Sequence, residues 1–209
     1  MTSGAASDLQ ESARVEAFSD GVFAIAITLL ILELKVPHPG GAPLGSKLVE
    51  QWPSYAAYLT SFATIGIMWL NHHRLFQLIR RVDHSLLVLN GLLLLGISVV
   101  PFPTALMADY LGTPGETLAA LVYSGTYVYI AIAFNWLWRY ASSPKRSPSL
   151  LRVPHDGPEV LAIHEQYRFG PLFYVASFLL AWWNAGAAMA LNLAFALFFA
   201  LPPRKVTRI

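Results

Sequence analysis

The stretch Arg14-Val-Glu-Ala-Phe18-Ser19-Asp20-Gly21-Val-Phe-Ala-Ile25-Ala-Ile-Thr28-Leu29-Leu-Ile-Leu32-Glu33 begins polar and continues as a dozen residues without a charge. At about 1.5 Å per residue, a helix over 15–36 is about as long as the roughly 30 Å hydrocarbon core of a bilayer. It lies too far into the chain, and lacks the small-residue cleavage site, to be a signal peptide, so it reads as a retained helix. Working outward, four more apolar blocks follow. Spans are expected at 53–76, 85–107 and 116–138. The last block, 169–201, divides at Trp183-Asn184-Ala185-Gly186 into helices over 167–182 and 187–201.

Composition agrees. Of 209 residues 56% are hydrophobic and only 12% charged, half the charge of an ordinary soluble domain. The formal net charge of +2 is too balanced to point to nucleic acid. The chain has no cysteine, which removes disulfides, thiolate metal sites and a cysteine nucleophile together. No phosphate-binding glycine loop, His-Glu-x-x-His pair or Gly-x-Ser-x-Gly elbow occurs, so the expectation is a protein that is not an enzyme and holds no cofactor or metal.

Basic residues orient the chain. With six spans, Arg14, Arg74, Arg80, Arg81, Arg139, Lys145, Arg146, Arg152, Arg168, Arg204, Lys205 and Arg208 fall on one side, leaving Lys35 and Lys47 on the other. That asymmetry puts both termini in the cytoplasm; five spans would send the basic tail outside. The expected organisation is an N-terminal cytoplasmic leader over 1–14, mobile in its Ser-, Ala- and Gly-rich part, a six-helix all-α domain over 15–201 and a basic cytoplasmic tail over 202–209. The segment 141–165 reads as a cytoplasmic linker at the lipid headgroups.

Two features of the helices could bear chemistry. Asp20 lies about six residues inside Arg14, at a depth where an unpaired charge costs about 2.5–3.5 kcal/mol. Asn71, His72, His73 and Arg74 close the second span on the same side and are its expected partners. The group reads either as a structural polar clasp or as a proton relay. Adjacent His72 and His73 point about 100° apart on a helix and are poorly placed to chelate one metal. The second feature is the stripe Ile25, Leu29, Leu32, whose spacing fits one helix face. Periodicity alone leaves open whether that face meets lipid, the protein core or a pore.

These residues resemble a known family. Arg14-x-x-x-Phe18-Ser19-Asp20 followed by the apolar run, Met68-Trp69-x-x-His72-His73-Arg74 ending the second span, and Leu89-Asn90 with Pro101-Phe-Pro103-Thr in the third are similar to prokaryotic members of the transmembrane protein 175 family of potassium channels. The resemblance covers most of the first three spans. It implies a homotetramer in the cell membrane, with the first helix of each subunit lining a potassium-conducting pore. It also implies a constriction at Ile25, Leu29 and Leu32, with Ile25 narrowest and Thr28 contributing polarity, and a structural network of Arg14, Phe18, Ser19, Asp20, Trp69, Asn71, His72, His73 and Arg74. The Thr-Val-Gly-Tyr-Gly filter of ordinary potassium channels is absent. Vertebrate relatives carry two such repeats per chain, and this chain has one. A proton channel or proton-coupled transporter using Asp20, His72 and His73, and a scaffold that conducts nothing, are the competing expectations.

Overall fold

The computed structural model describes residues 2–201. The tail expected over 202–209 lies outside them. Among the described residues the chain is all helical, with a single isolated backbone bridge between Ile79 and Leu151 and no sheet. The helices are α1 (Thr2–Leu29), α2 (Leu44–Glu50), α3 (Trp52–Leu78), α4 (His84–Val99), α5 (Pro101–Tyr110), α6 (Glu116–Ala141), α7 (Pro158–Tyr167), α8 (Gly170–Leu180) and α9 (Ala185–Ala200). A 3-10 turn over Leu30–Glu33 extends α1.

Three segments are long and apolar enough to cross a membrane: Gln10–Glu33, His84–Tyr110 and Glu116–Ala141, with mean hydropathies of 2.0, 2.2 and 1.6 over their most apolar windows. α3 is as long but carries Thr60, Ser61, Thr64, Asn71 and His72 on its buried side. Its polarity points inward, as helices in lipid require.

Several boundaries follow from local chemistry. Pro101 has no N–H to continue the ladder of α4, so the third apolar block bends there into α5. The Asp83 carboxylate caps α4 by accepting from Leu86 N at 2.8 Å, and Asn184 caps α9 by accepting from Ala187 N at 2.8 Å. The Asn184 cap accounts for the turn that divides the last apolar block.

Two further differences from the sequence reading concern the N-terminal segment and the 141–165 connection. The 1–14 segment, expected as a mobile leader, is helical from Thr2 and continuous with the first span. Ser12 Oγ donates to Ile79 O at 3.1 Å, and Arg81 Nε lies 2.6 Å from Asp8 Oδ2, so this extension is docked onto the α3–α4 connection. The 141–165 linker contains most of α7, which starts at Pro158 in the N1 position with Glu159 in its first turn and buries Val160 and Ile163. Its preceding loop is docked as well. Arg80 N and Arg81 N donate to Leu150 O, and Arg146 pairs with Asp83 at 2.8 Å.

The core is knitted by hydroxyls where lipid offers no water. Ser61 Oγ lies 2.7 Å from Thr104 Oγ1 and 3.0 Å from the Tyr123 hydroxyl, joining α3, α5 and α6. Asn192 Nδ2 donates to Ser124 Oγ at 3.2 Å, joining α9 to α6. At the other end of α1, Lys35 pairs with Asp109 at 2.9 Å, and that hydrogen bond holds the ammonium pKa above its ordinary value. Lys35 is therefore charged at neutral pH, and its side of the pair is lost as pH rises through the elevated lysine pKa.

α4 and α6 cross closely at Gly96, where an added Cβ would sit 2.7 Å from Ile130 Cγ1 and 2.8 Å from Tyr129 Cε1. Gly96→Val is expected to force the helices apart at a cost of about 1–3 kcal/mol. Gly66, where a Cβ meets nothing within 4 Å, is the control. Thermal unfolding in detergent should show a clear drop for Gly96→Val and little change for Gly66→Ala.

Candidate functional site: the two faces of the first helix

α1 has two faces with opposite fates. Ser12, Ser19, Phe23, Ala26 and Leu30 recur at heptad-like spacing, and all are at most 2% exposed against α3 and α4. At about 100° per residue these five stack on one line. On the opposite line Phe18, Ile25 and Leu32 stand 69%, 60% and 68% exposed, with Gly21, Thr28 and Leu29 beside them. A face that is hydrocarbon except at Arg14 and Thr28 is thus left uncovered by its own chain, while Ser12, Glu16, Ser19 and Asp20 turn toward the rest of the bundle.

What fixes this rotation is a set of polar contacts along the inner half of the helix. Trp69 Nε1 donates to Asp20 Oδ1 at 2.8 Å, and His73 Nδ1 lies 2.7 Å from Glu16 Oε1. Glu16 and Asp20 are four residues apart, as are Trp69 and His73, so antiparallel helices match them rung by rung. α4 supplies the other support. Asn90 Nδ2 donates to Ser19 Oγ at 2.9 Å, and Ser19 Oγ donates to Val15 O at 2.8 Å. Because Asn90 gives its amide hydrogen to Ser19, its Oδ1 is the acceptor 2.9 Å from His72 Nε2, and His72 Nε2 must carry the hydrogen. The His72 ring is fully buried, stacked on Phe76 at 4.4 Å and tilted to Phe23 at 5.4 Å.

The expected partners of Asp20 are corrected by this arrangement. Its hydrogen bond comes from Trp69, and Asn71, His72, His73 and Arg74 bind elsewhere. Arg74 reaches Asn71 Oδ1 at 3.4 Å and Ala200 O at 3.5 Å. His73 also meets Gln77 at 2.9 Å. The physical reason is angular: successive residues on α3 diverge by about 100°, and only Trp69 and His73 share the side that meets Glu16 and Asp20. Asp20 itself is half-buried rather than enclosed. Arg14 and Phe18, grouped with the polar network by resemblance, lie instead on the uncovered side of α1, where they border an open groove with Leu87, Asn90 and Leu94.

Two participants had no place in the network from the sequence, Glu16 and Asn90, although Asn90 stands in the Leu89-Asn90 motif of the resemblance. The signal for Glu16 is its four-residue spacing from Asp20. For Asn90 it is the one amide in a run that is otherwise almost wholly leucine and valine. Thr28 sits between the stripe residues, its hydroxyl donating to Ile25 O at 2.9 Å, which leaves the oxygen lone pairs free on the exposed side. Among the described residues no cluster of three or more His, Asp or Glu is arranged to hold a metal.

The network makes unequal demands on its members. Asn90→Leu would leave His72 Nε2 buried without an acceptor and take from Ser19 Oγ the hydrogen bond it accepts, a loss of about 1–3 kcal/mol. Trp69→Phe strands only a half-buried carboxylate and should cost less, about 0.5–1.5 kcal/mol. Unfolding midpoints of the two variants, with the oligomer monitored by size exclusion, should keep that order.

Comparison with known proteins gives this helix a family. The model of the family described as "Endosomal/lysosomal potassium channel TMEM175" matches residues 14–101, which take in α1 from Arg14 onward, α3, α4 and the contacts of Glu16, Ser19 and Asp20. A potassium channel of Chamaesiphon minutus is 50% identical over 199 residues, covering 94% of this chain and 97% of the relative. A crystal structure described as a lysosomal potassium-selective channel TMEM175 homolog from that organism superposes with a TM-score of 0.81 at 47% identity, over 91% of this chain and 97% of that one. A human protein named as an endosomal/lysosomal proton channel, TMEM175, is 35% identical over 58% of this chain and 26% of its own length. With half of its residues shared over nearly its full length, and with α1 from Arg14 onward, α3 and α4 inside the matched region, the chain belongs to the TMEM175 family.

Proposed function

We propose that the chain is a potassium-preferring cation channel of the cell membrane in which four copies surround an axis lined by α1. The observation that supports this most strongly is the uncovered hydrocarbon face of α1, held outward by polar contacts on its other side. A helix facing only lipid would need no such fixed orientation. Six spans, with both termini cytoplasmic, accommodate the charge asymmetry of the loops. In a closed ring each subunit meets its neighbours through the same two patches, so the groove beside Arg14 and Phe18 falls naturally at a contact between copies.

In this reading Ile25, Leu29 and Leu32 form successive aliphatic rings. Ile25 sets the narrowest, and the Thr28 oxygens offer a polar step between them. Such rings conduct when wide enough to stay wet and block when they dry. Closing or opening requires α1 to turn or tilt, and the contacts to Trp69, His73 and Asn90 set the resistance to that motion. Potassium ions are the permeant species, lipid and further copies of the chain the partners, and no cofactor takes part.

A proton route has one specific point in its favour, the name of the human relative. The side chains favour the other reading. The rung at Asp20 ends on the Trp69 indole, a donor with no acceptor lone pair, and so cannot pass a proton onward. His72 bonds Asn90, and His73 lies against Glu16, each in a separate contact.

Purified protein in a planar bilayer should show a reversal potential that follows the potassium gradient and ignores a pH gradient. Ile25→Asn should wet the narrowest ring and raise single-channel conductance severalfold. Unchanged or smaller currents through a correctly assembled Ile25→Asn protein would remove Ile25 from the constriction. A reversal potential that tracks pH would overturn the potassium reading.

A further inference from the structure

Behind α3, on the side away from α1, lies a cavity of about 50 Å³ walled by α3, α6, α8 and α9. One water needs roughly 10–15 Å³ by this kind of measure, so the space holds about four water-sized groups. Its lining is mostly hydrocarbon and aromatic, including Phe134, Tyr174, Ala196 and Phe199. The partly exposed wall residues, Ala131 and Asn135 of α6 and Pro171 of α8, mark where it reaches the protein surface. An apolar space this deep, open to the surface of a membrane-spanning bundle, has the dimensions of the end of one acyl chain.

Thr64, Asn135, Tyr167 and Tyr174 also line the space, and beside Asn71 its wall meets a cation. There Asn71 accepts from Arg74 Nη1 at 3.4 Å, while Arg74 Nη2 reaches Ala200 O at 3.5 Å. Both bonds are longer than the usual 2.7–3.2 Å for N–H···O, and both go to neutral oxygens. Among the described residues no carboxylate lies within 4.0 Å of Arg74, although Arg81 and Arg146 each have one. A guanidinium held only by stretched bonds to amide oxygens is poised for a better acceptor, and a bidentate phosphate is the strongest such group. Arg168 lies at the same end of the bundle, over the Phe169 ring at 5.1 Å.

The geometry points to a binding site for an anionic phospholipid of the cytoplasmic leaflet, with one acyl chain ending in the α3–α6–α8–α9 cavity and the phosphate on Arg74. The occupant would brace α3 from behind. Because α3 presents Trp69 and His73 to α1 on its other side, such a lipid would stiffen the support of the uncovered face. The site rests on the membrane placement of the bundle and on no assumption about the permeant ion.

Binding rather than current is the readout, so this test fails or succeeds separately from the channel reading. The full chain is placed in nanodiscs of phosphatidylglycerol or of phosphatidylcholine with identical chains, and its unfolding temperature is compared. The expected result is a higher midpoint in phosphatidylglycerol, abolished by Arg74→Gln, reduced but not abolished by Arg74→Lys, which keeps the charge without the fork, and reduced by Ala196→Leu, which narrows the cavity without touching the cation. Equal midpoints for the unaltered chain in the two lipids would overturn the proposal. So would an undiminished phosphatidylglycerol preference in Arg74→Gln. Reproduction of the full shift by inorganic phosphate in phosphatidylcholine discs would overturn the acyl-chain part.

Discussion

The structure depends on one constraint: α1 must present Glu16, Ser19 and Asp20 to protein, which turns Phe18, Ile25 and Leu32 to the other side. Glu16 and Asp20 face α3, where His73 and Trp69 stand at the same spacing, and Ser19 faces Asn90 of α4. In water such contacts would contribute little. In a bilayer the alternative is a polar group with no partner, so a rotation of the helix that broke them would be opposed at every turn. The exposed face of Phe18, Ile25 and Leu32 is the geometric complement of those bonds.

Around that helix the remaining elements behave as a frame. The hydroxyl cluster of Ser61, Thr104 and Tyr123 ties α3 to α5 and α6, and Gly96 lets α4 approach α6 closely enough to close the bundle. At one end the loop before α7 is hydrogen-bonded to the connection that Ser12 and Asp8 also grip. The Ile79 carbonyl receives both Ser12 Oγ and Arg152 Nε, each at 3.1 Å, so the base of α1 and the loop share one anchor.

Most of the fold was legible because lipid imposes a simple ruler: apolar runs of about 20 residues bounded by charge, proline or glycine. The division of the last block at Asn184 was readable from its turn chemistry. Less legible were features that depend on a partner distant in sequence. Nothing local says that Thr2–Ser12 continues a helix, since its support comes from Ile79 and Arg81. The charge on Asp20 announced a contact with another helix, but the choice of Trp69 over His72 is a matter of helix phase between two rods, which spacing within one rod does not contain. Ile25, Leu29 and Leu32 were visible as a stripe. Only the positions of α3 and α4 make it the side the chain leaves uncovered.

The claim that this uncovered face lines the ion path is tested most directly by scanning α1 with single cysteines, since the chain has none of its own. Ile25→Cys, Thr28→Cys and Leu32→Cys channels should be blocked by a water-soluble thiol reagent, while Phe23→Cys, Ala26→Cys and Leu30→Cys channels should be indifferent to it. Block at the second set with silence at the first would contradict the account.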